Sequence, residues 1–367
     1  MYDTAIEILN KIVDFGYKAY IVGGYPRDIY IGRNSIDIDI CTNATPKELK
    51  EIFHESISKN QEYGSVTLIY KKIRFEITTF RKEIKYENNR FPVKIKYINT
   101  LIDDLERRDF TINTLCIDNE GTVIDLLNAK KDIDDKIIRC VGNSDKKIKE
   151  DILRSLRAIR FATILNFKLD EKLKKAIKKN SHLLKKLSYF RKKDELEKIF
   201  SSPNSLYGIS LIKELDLVEK LELFNIDTLV VTTSSLGIWA QLDVLDIYSF
   251  SNNEKQIIKD IQSCLKENIL NNKTLYKYGL YICTLVGEIK QIKRIDIVEK
   301  YNKLPIYSIK DIDVKAKDIC DLLNKKPGPF INEIYKDLEE KILNNEITNE
   351  KNILINYIKE KYLTIIN

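Results

Sequence analysis

The chain has 367 residues, 43% of them hydrophobic and 32% charged, and a net charge of +7. That is enough for a large core and too long for one average domain. Six scattered cysteines, none in a CxxC pair and with only His54 and His182 to help them, argue against a zinc site or a disulfide framework. No apolar stretch reaches membrane-spanning length, so reduced thiols, no membrane partner and a cytoplasmic location are expected.

The first 137 or so residues mix strand and helix patterns. Residues 4–15 have helical apolar spacing, and the start of the chain alternates charge with apolar residues unlike a signal peptide. Ala19–Val22 reads as a short apolar strand running into Gly23-Gly24 and a helix start. Glycines on such a turn let backbone N–H groups approach phosphate oxygens, and Arg27 adds a cation near the helix N-terminus. Ile36–Ile40 reads IDIDI, a period-2 strand with Asp37 and Asp39 on one face and the isoleucines on the other. Two carboxylates about 6–7 Å apart along a strand can share hard divalent cations such as Mg²⁺. A two-metal site holds an attacking hydroxyl and a leaving pyrophosphate in line. Val66–Tyr70 and Ile73–Phe80 read as a hairpin turning at Lys71-Lys72, and Glu76 on its second strand is a possible third carboxylate. Residues 81–98, charged and broken by Pro92, read as a mobile loop, and Asp109–Asn119 as a return to strand.

After Gly142 the pattern turns almost wholly helical. Residues 146–166 read as one long helix on which Ile152, Leu153, Leu156 and Ile159 share an apolar arc, with Glu150, Asp151, Arg154 and Arg157 opposite. Arg160 falls within the apolar arc and needs an anionic partner, a phosphate or a carboxylate. Asp151 and Arg154 stand at i,i+3. A fixed carboxylate accepts from the amino group of cytosine or adenine, and a fixed guanidinium donates to cytosine N3 or adenine N1. Uracil and guanine reverse both polarities and leave the pair unsatisfied. The pair therefore predicts C and A accepted, U and G refused. From Lys168 to Lys198, twelve Lys/Arg stand against five Asp/Glu, a net +7 equal to that of the whole chain. The segment reads as a phosphate-binding face or as a solvated helix face. Pro203, Pro305 and Pro327-Gly328-Pro329 punctuate the helices that follow.

These segments resemble a known family. GGYPRDIYIGRNSIDIDICTNATP, RRDFTINTL (Arg107–Leu115), IIRCVG (Ile137–Gly142) and EDILRSLRAIRFA (Glu150–Ala162) resemble, in order and spacing, the first four motifs of class II tRNA nucleotidyltransferases and bacterial poly(A) polymerases. KDIDVKAKDICDLL and the segment after it are similar to the tail of CCA-adding enzymes. The resemblance implies an α+β nucleotidyltransferase head, a mixed sheet with helices, at 1–137. An all-helical neck (138–203), body (204–300) and tRNA-binding tail (301–367) would follow. It implies Asp37 and Asp39 as Mg²⁺ ligands, Gly24 and Arg27 at the triphosphate, Arg108 on the nucleotide and Asp109 near the sugar hydroxyls. Asp151 and Arg154 would read the base, with Arg157 and Arg160 completing the site and the Lys-rich stretch facing tRNA. Pro26 stands where the family usually has Val, Asn128-Ala129 where it has Gly-Gly, and Phe190 where it has Glu before Arg.

The activity implied is template-independent addition of CMP, CMP and AMP, from CTP and ATP, to the tRNA 3′ end with release of pyrophosphate, without a stable protein partner. CC-adding, A-adding and poly(A)-adding enzymes share the motifs. The full-length 81–98 segment favours addition of A, and the tail resemblance speaks against poly(A). A catalytically inactive RNA-binding relative would suit the basic segment but would not explain Asp37, Asp39, Arg108, Asp151 and Arg154. A DxD sugar transferase leaves RRD unexplained.

Overall fold

The computed structural model describes residues 1–54, 64–87 and 91–363. The chain divides into two compact units, Met1–Phe224 and Asn225–Asn367.

The first unit opens with α1 (Tyr2–Asp14), which buries Ala5, Ile8, Leu9 and Ile12 at helical spacing. There follow β1 (Ala19–Val22), α2 (Gly24–Tyr30), β2 (Asp39–Thr42), α3 (Pro46–Ile52), β3 (Ser65–Tyr70) and β4 (Ile73–Thr79). Next come β5 (Arg81–Glu87), β6 (Phe91–Tyr97), α4 (Leu101–Glu106), β7 (Cys116–Ile117), β8 (Val123–Ile124), α5 (Ala129–Asp134) and β9 (Ile137–Ile138). A mixed six-stranded sheet runs β3-β4-β2-β1-β7-β8, with β2 and β4 parallel and the other pairs antiparallel. Ile21, Ile38, Ile40, Val66, Leu68, Phe75 and Ile77 bury against α1 residues to form its core. The β3–β4 turn is tight because Lys71 and Lys72 both take positive φ (49° and 65°), the handedness that matches the twist of a hairpin.

Four sequence expectations are corrected here. The strand expected at 36–40 begins only at Asp39, opposite Val22 and Glu76, so Asp37 precedes the sheet and Ile36 is 84% exposed. The loop expected at 81–98 is the antiparallel hairpin β5–β6, a separate two-stranded sheet; residues 88–90 of that expectation lie outside the described residues. In 109–119 only Cys116–Ile117 is strand, while Phe110 bridges to Cys140 and Thr111–Asn113 form a 3-10 turn. The long helix at 146–166 is two helices, α6 (Ser144–Glu150) and α7 (Leu153–Leu165). Asp151 between them is extended, and its carboxylate accepts from Leu153 N at 3.0 Å. Such local side-chain bonding offers the chain an alternative to continuing the helix.

After α7, β10 (Lys168–Leu169) pairs in parallel with β9, and α8 (Glu171–Asn180), α9 (Tyr189–Phe200), α10 (Ser205–Glu214) and α11 (Val218–Leu221) follow. Gly208 lets α10 sit close to α7 and α9: a β-carbon there would lie 2.5 Å from both Thr163 Oγ1 and Ile199 Cγ2. Asn128, at the former Gly-Gly position, takes φ 57°, ψ 37°, a left-handed conformation that Asn tolerates. The Asp125 carboxylate beside it accepts from Ala129 N (2.8 Å) and Lys130 N (3.0 Å). Pro26 lies in the first turn of α2, where a missing N–H costs nothing.

The second unit carries α12 (Ser235–Leu242), α13 (Asn252–Cys264), α14 (Asn272–Lys290), α15 (Arg294–Asn302), α16 (Ala316–Leu323), α17 (Phe330–Leu343) and α18 (Lys351–Ile358). Ile319, Ile334, Leu338, Ile342, Leu354 and Ile358 share one core in it. Among the described residues no helix is long and apolar enough to cross a membrane.

Candidate active site

A cavity of about 510 Å³ opens in the first unit. It is lined by Gly23, Gly24, Arg27, Asp37, Asp39, Arg107, Arg108, Asp109, Asn113, Asp151, Arg154, Arg157, Arg160 and Phe161. Asp37, Asp39, Gly24, Arg27, Arg108, Asp109, Asp151, Arg154, Arg157 and Arg160, singled out in the sequence, all lie on it. Arg107, Asn113 and Phe161 were not singled out. The lining holds six arginines against four aspartates, a balance suited to a polyphosphate, since guanidinium forks match phosphate oxygens.

One wall is the end of the sheet. Gly23 has φ +85°, and a β-carbon there would approach Asp39 Oδ2 to 3.3 Å, so the turn and the carboxylate need a glycine between them. Burial, then the carboxylates of Asp37 and Glu76, push Asp39 up to about 6, while Arg108 pulls the other way. Crowded carboxylates of this kind favour a cation among them. Glu76 is in register with Asp39, yet it is exposed and does not line the cavity. Among the described residues no group of three His, Cys, Asp or Glu side chains is arranged to hold a metal. Two carboxylates with room for waters and substrate phosphates suit Mg²⁺, which is seldom bound by an all-protein cage.

The second wall is RRD. Arg107 Nε and Arg108 Nη2 both reach buried Asp104, at 2.8 and 3.2 Å. Asp109 accepts from Arg157 Nε (2.8 Å) and Nη2 (2.6 Å), from Asn113 Nδ2 (3.2 Å) and from Phe110 N (2.8 Å). Burial opposes its charge, but Arg157 and the other donors prevail and hold it down to about 2. Asn113 Oδ1 also accepts from Arg27 Nη1 at 2.5 Å, so one amide ties the Arg27 corner to the Asp109 corner.

The third wall is the α6–α7 turn. Arg154, 6% exposed, points Nη1 at Lys147 O (2.9 Å) and Glu150 (3.3 Å). Asp151 and Arg154 line the cavity together, although a turn sets their relation and not the expected i,i+3 spacing on one helix. Burial raises Asp151, with Arg154 acting against it. Arg160 has the anionic partner its position required: the Glu195 carboxylate of α9 at 3.3 Å. Burial pushes each of that pair toward its neutral form, and their mutual attraction resists.

Three segments match family models. Residues 19–139 match the poly A polymerase head domain, 166–224 the probable RNA and SrmB-binding site of polymerase A, and 225–358 the putative tRNA nucleotidyltransferase domain 2. A CCA-adding enzyme of Ligilactobacillus salivarius is 34% identical over 98% of this chain and 96% of its own length. That of Bacillus subtilis is 31% identical over 97% of each. The fold also matches the solved structure of Bacillus stearothermophilus CCA-adding enzyme in complex with CTP, with a TM-score of 0.86 and 27% identity over 100% of this chain and 98% of that one.

Proposed function

Because the chain belongs to the family of CCA-adding enzymes, we propose that its cavity takes CTP and ATP in turn and transfers CMP, CMP and AMP to the 3′ end of a tRNA. The 3′ hydroxyl oxygen attacks the α-phosphorus as its proton passes to solvent. The new ester bond forms as the bond between the α-phosphorus and its bridging oxygen breaks, and pyrophosphate leaves with the electron pair. The observation that carries this reading is that Asp37 and Asp39 share one cavity with Asp151 and Arg154.

Asp37 and Asp39 would hold Mg²⁺, which when bound lowers the hydroxyl pKa and offsets charge on the leaving group. The Gly23-Gly24 turn gives the triphosphate close backbone approach, and Arg27 and Arg108 give it charge. Asp109, held by Arg157, stands near the sugar hydroxyls. Asp151 accepts from the amino group of C or A while Arg154, its guanidinium oriented by Lys147 O, donates to the ring nitrogen. Within this reading residues 1–137 act as a catalytic head and 138–203 as a neck. Residues 204–300 act as a body and 301–367 as a tRNA-binding tail. The enzyme works in the cytoplasm.

The test supplies purified protein, Mg²⁺ and a tRNA transcript ending before CCA with CTP, ATP, both, UTP or GTP, and reads product length on a gel. Two additions from CTP and a third only with ATP are expected. Two additions and no third make the enzyme CC-adding; long tails from ATP make it a poly(A) polymerase. In the same assay Arg154→Ala is expected to admit UTP or GTP, and retained C/A choice removes the base-reading role.

A further inference from the structure

Phe161 sits where three cations from two distant parts of the chain come together. Its ring centroid lies 5.4 Å from the Arg27 guanidinium of α2, and 5.4 and 4.5 Å from those of Arg157 and Arg160 of α7. Phe110, fully buried, meets the ring edge-on at 5.8 Å and fixes its plane. All three arginines and Phe161 line the cavity.

Three guanidiniums around one point repel one another, and each has a separate carboxylate: Asp28 for Arg27, Asp109 for Arg157, Glu195 for Arg160. Those carboxylates lie on different elements and each restrains one cation. The ring touches all three. Its negative faces attract cations without neutralising them or competing for their N–H donors. An added carboxylate would have cancelled the charge a polyphosphate needs; an aromatic ring keeps it.

We propose that Phe161 is a positioning residue of the nucleotide site. Its ring holds Arg27, Arg157 and Arg160 as one preset fan for the triphosphate, whichever base the nucleotide carries. This rests on the reading of the cavity as a nucleoside-triphosphate site. Preset donors avoid the ordering cost of gathering flexible arginines at each binding event. The role should therefore appear in affinity for the phosphate chain and be equal for CTP and ATP.

The experiment measures binding of inorganic tripolyphosphate, CTP and ATP by calorimetry, with KM and kcat for extension, in wild type, Phe161→Leu and Phe161→Tyr. Phe161→Leu is expected to weaken all three ligands by about tenfold, the scale of a few lost cation–π contacts, and to raise KM more than it lowers kcat. Phe161→Tyr keeps the ring and should stay within about twofold of wild type. A folded leucine variant that binds tripolyphosphate like wild type overturns the proposal, as does a tyrosine variant as weak as the leucine one. Where leucine prevents folding, Phe161→Met carries the same expectation. Wild type that binds tripolyphosphate yet extends no tRNA sinks the functional reading and leaves the Phe161 comparison standing.

Discussion

Asp109 is held by Arg157, Asn113 and its neighbour's backbone, and this makes it a store of pH-dependent stability. Its carboxyl falls from 3.8 to about 2 on folding. A depressed carboxylate contributes fully above its unfolded value and loses that contribution as pH falls through the folded one. Thermal melts of wild type should therefore lose about 2 kcal/mol from this group between about pH 4 and pH 2. Asp109→Asn should start less stable at pH 7 and show a shallower decline over the same window. The cavity's aspartates, and its arginines other than Arg107, were singled out in the sequence because each short motif carries its chemistry locally. Asn113 and Phe161 were not, because each gains its role from tertiary neighbours. By itself Asn113 is a polar turn residue, and Phe161 an apolar residue on a helix with a buried face. Arg160 sits between these cases: its place in the apolar arc demanded an anion, but only the fold chose Glu195.

At the scale of elements, apolar periodicity found β1, the β3–β4 hairpin and α1, and failed where pairing rather than pattern sets the boundary. The IDIDI run alternates from Ile36, but β1 ends at Val22, opposite Asp39, and the chain turns away at Gly23, so residues 36–38 have no β1 residue to pair with. Among the described residues β5 and β6 pair with each other alone; Phe91, Val93, Ile95 and Tyr97 do alternate with Pro92, Lys94 and Lys96, but the charge of the segment and Pro92 outweighed that pattern and pointed to a loop. The α6–α7 break was hidden because its residues keep helical spacing on both sides while Asp151 bonds locally. The contact of α10 with α7 and α9 gives a sharper test. Gly208→Ala places a methyl 2.5 Å from Thr163 and Ile199. Overpacking of this kind costs about 1–3 kcal/mol. A lowered melting temperature is expected, and because α7 carries Arg154, Arg157 and Arg160, a raised KM for CTP with it. A variant as stable as wild type would mean that α10 shifts freely.

Across the whole molecule, the +7 charge is less available than its count suggests. In the basic segment Lys174 pairs with Glu214, Lys178 with Asp216, Lys179 with Asp145 and Lys198 with Asp194. Lys172, Lys175 and Lys185 remain exposed on the same stretch. If these three contact tRNA phosphates, each counts for roughly 0.7–0.9 in the slope of log affinity against log salt. Fluorescence anisotropy of labelled tRNA should therefore show steep salt dependence, and changing all three to Ala should flatten the slope by about 2–3. An unchanged slope returns the segment to a solvated face. The short parallel pair β9–β10 matters at this scale too. Lys168 N donates to Lys136 O and Asp170 N to Ile138 O, while Arg139 reaches Asp170 at 2.6 Å. These bonds clasp the end of α7, the last element to supply a cavity residue, against the strand that follows α5. During synthesis, then, the nascent chain has no finished cavity until Glu195, the partner of Arg160, has left the ribosome.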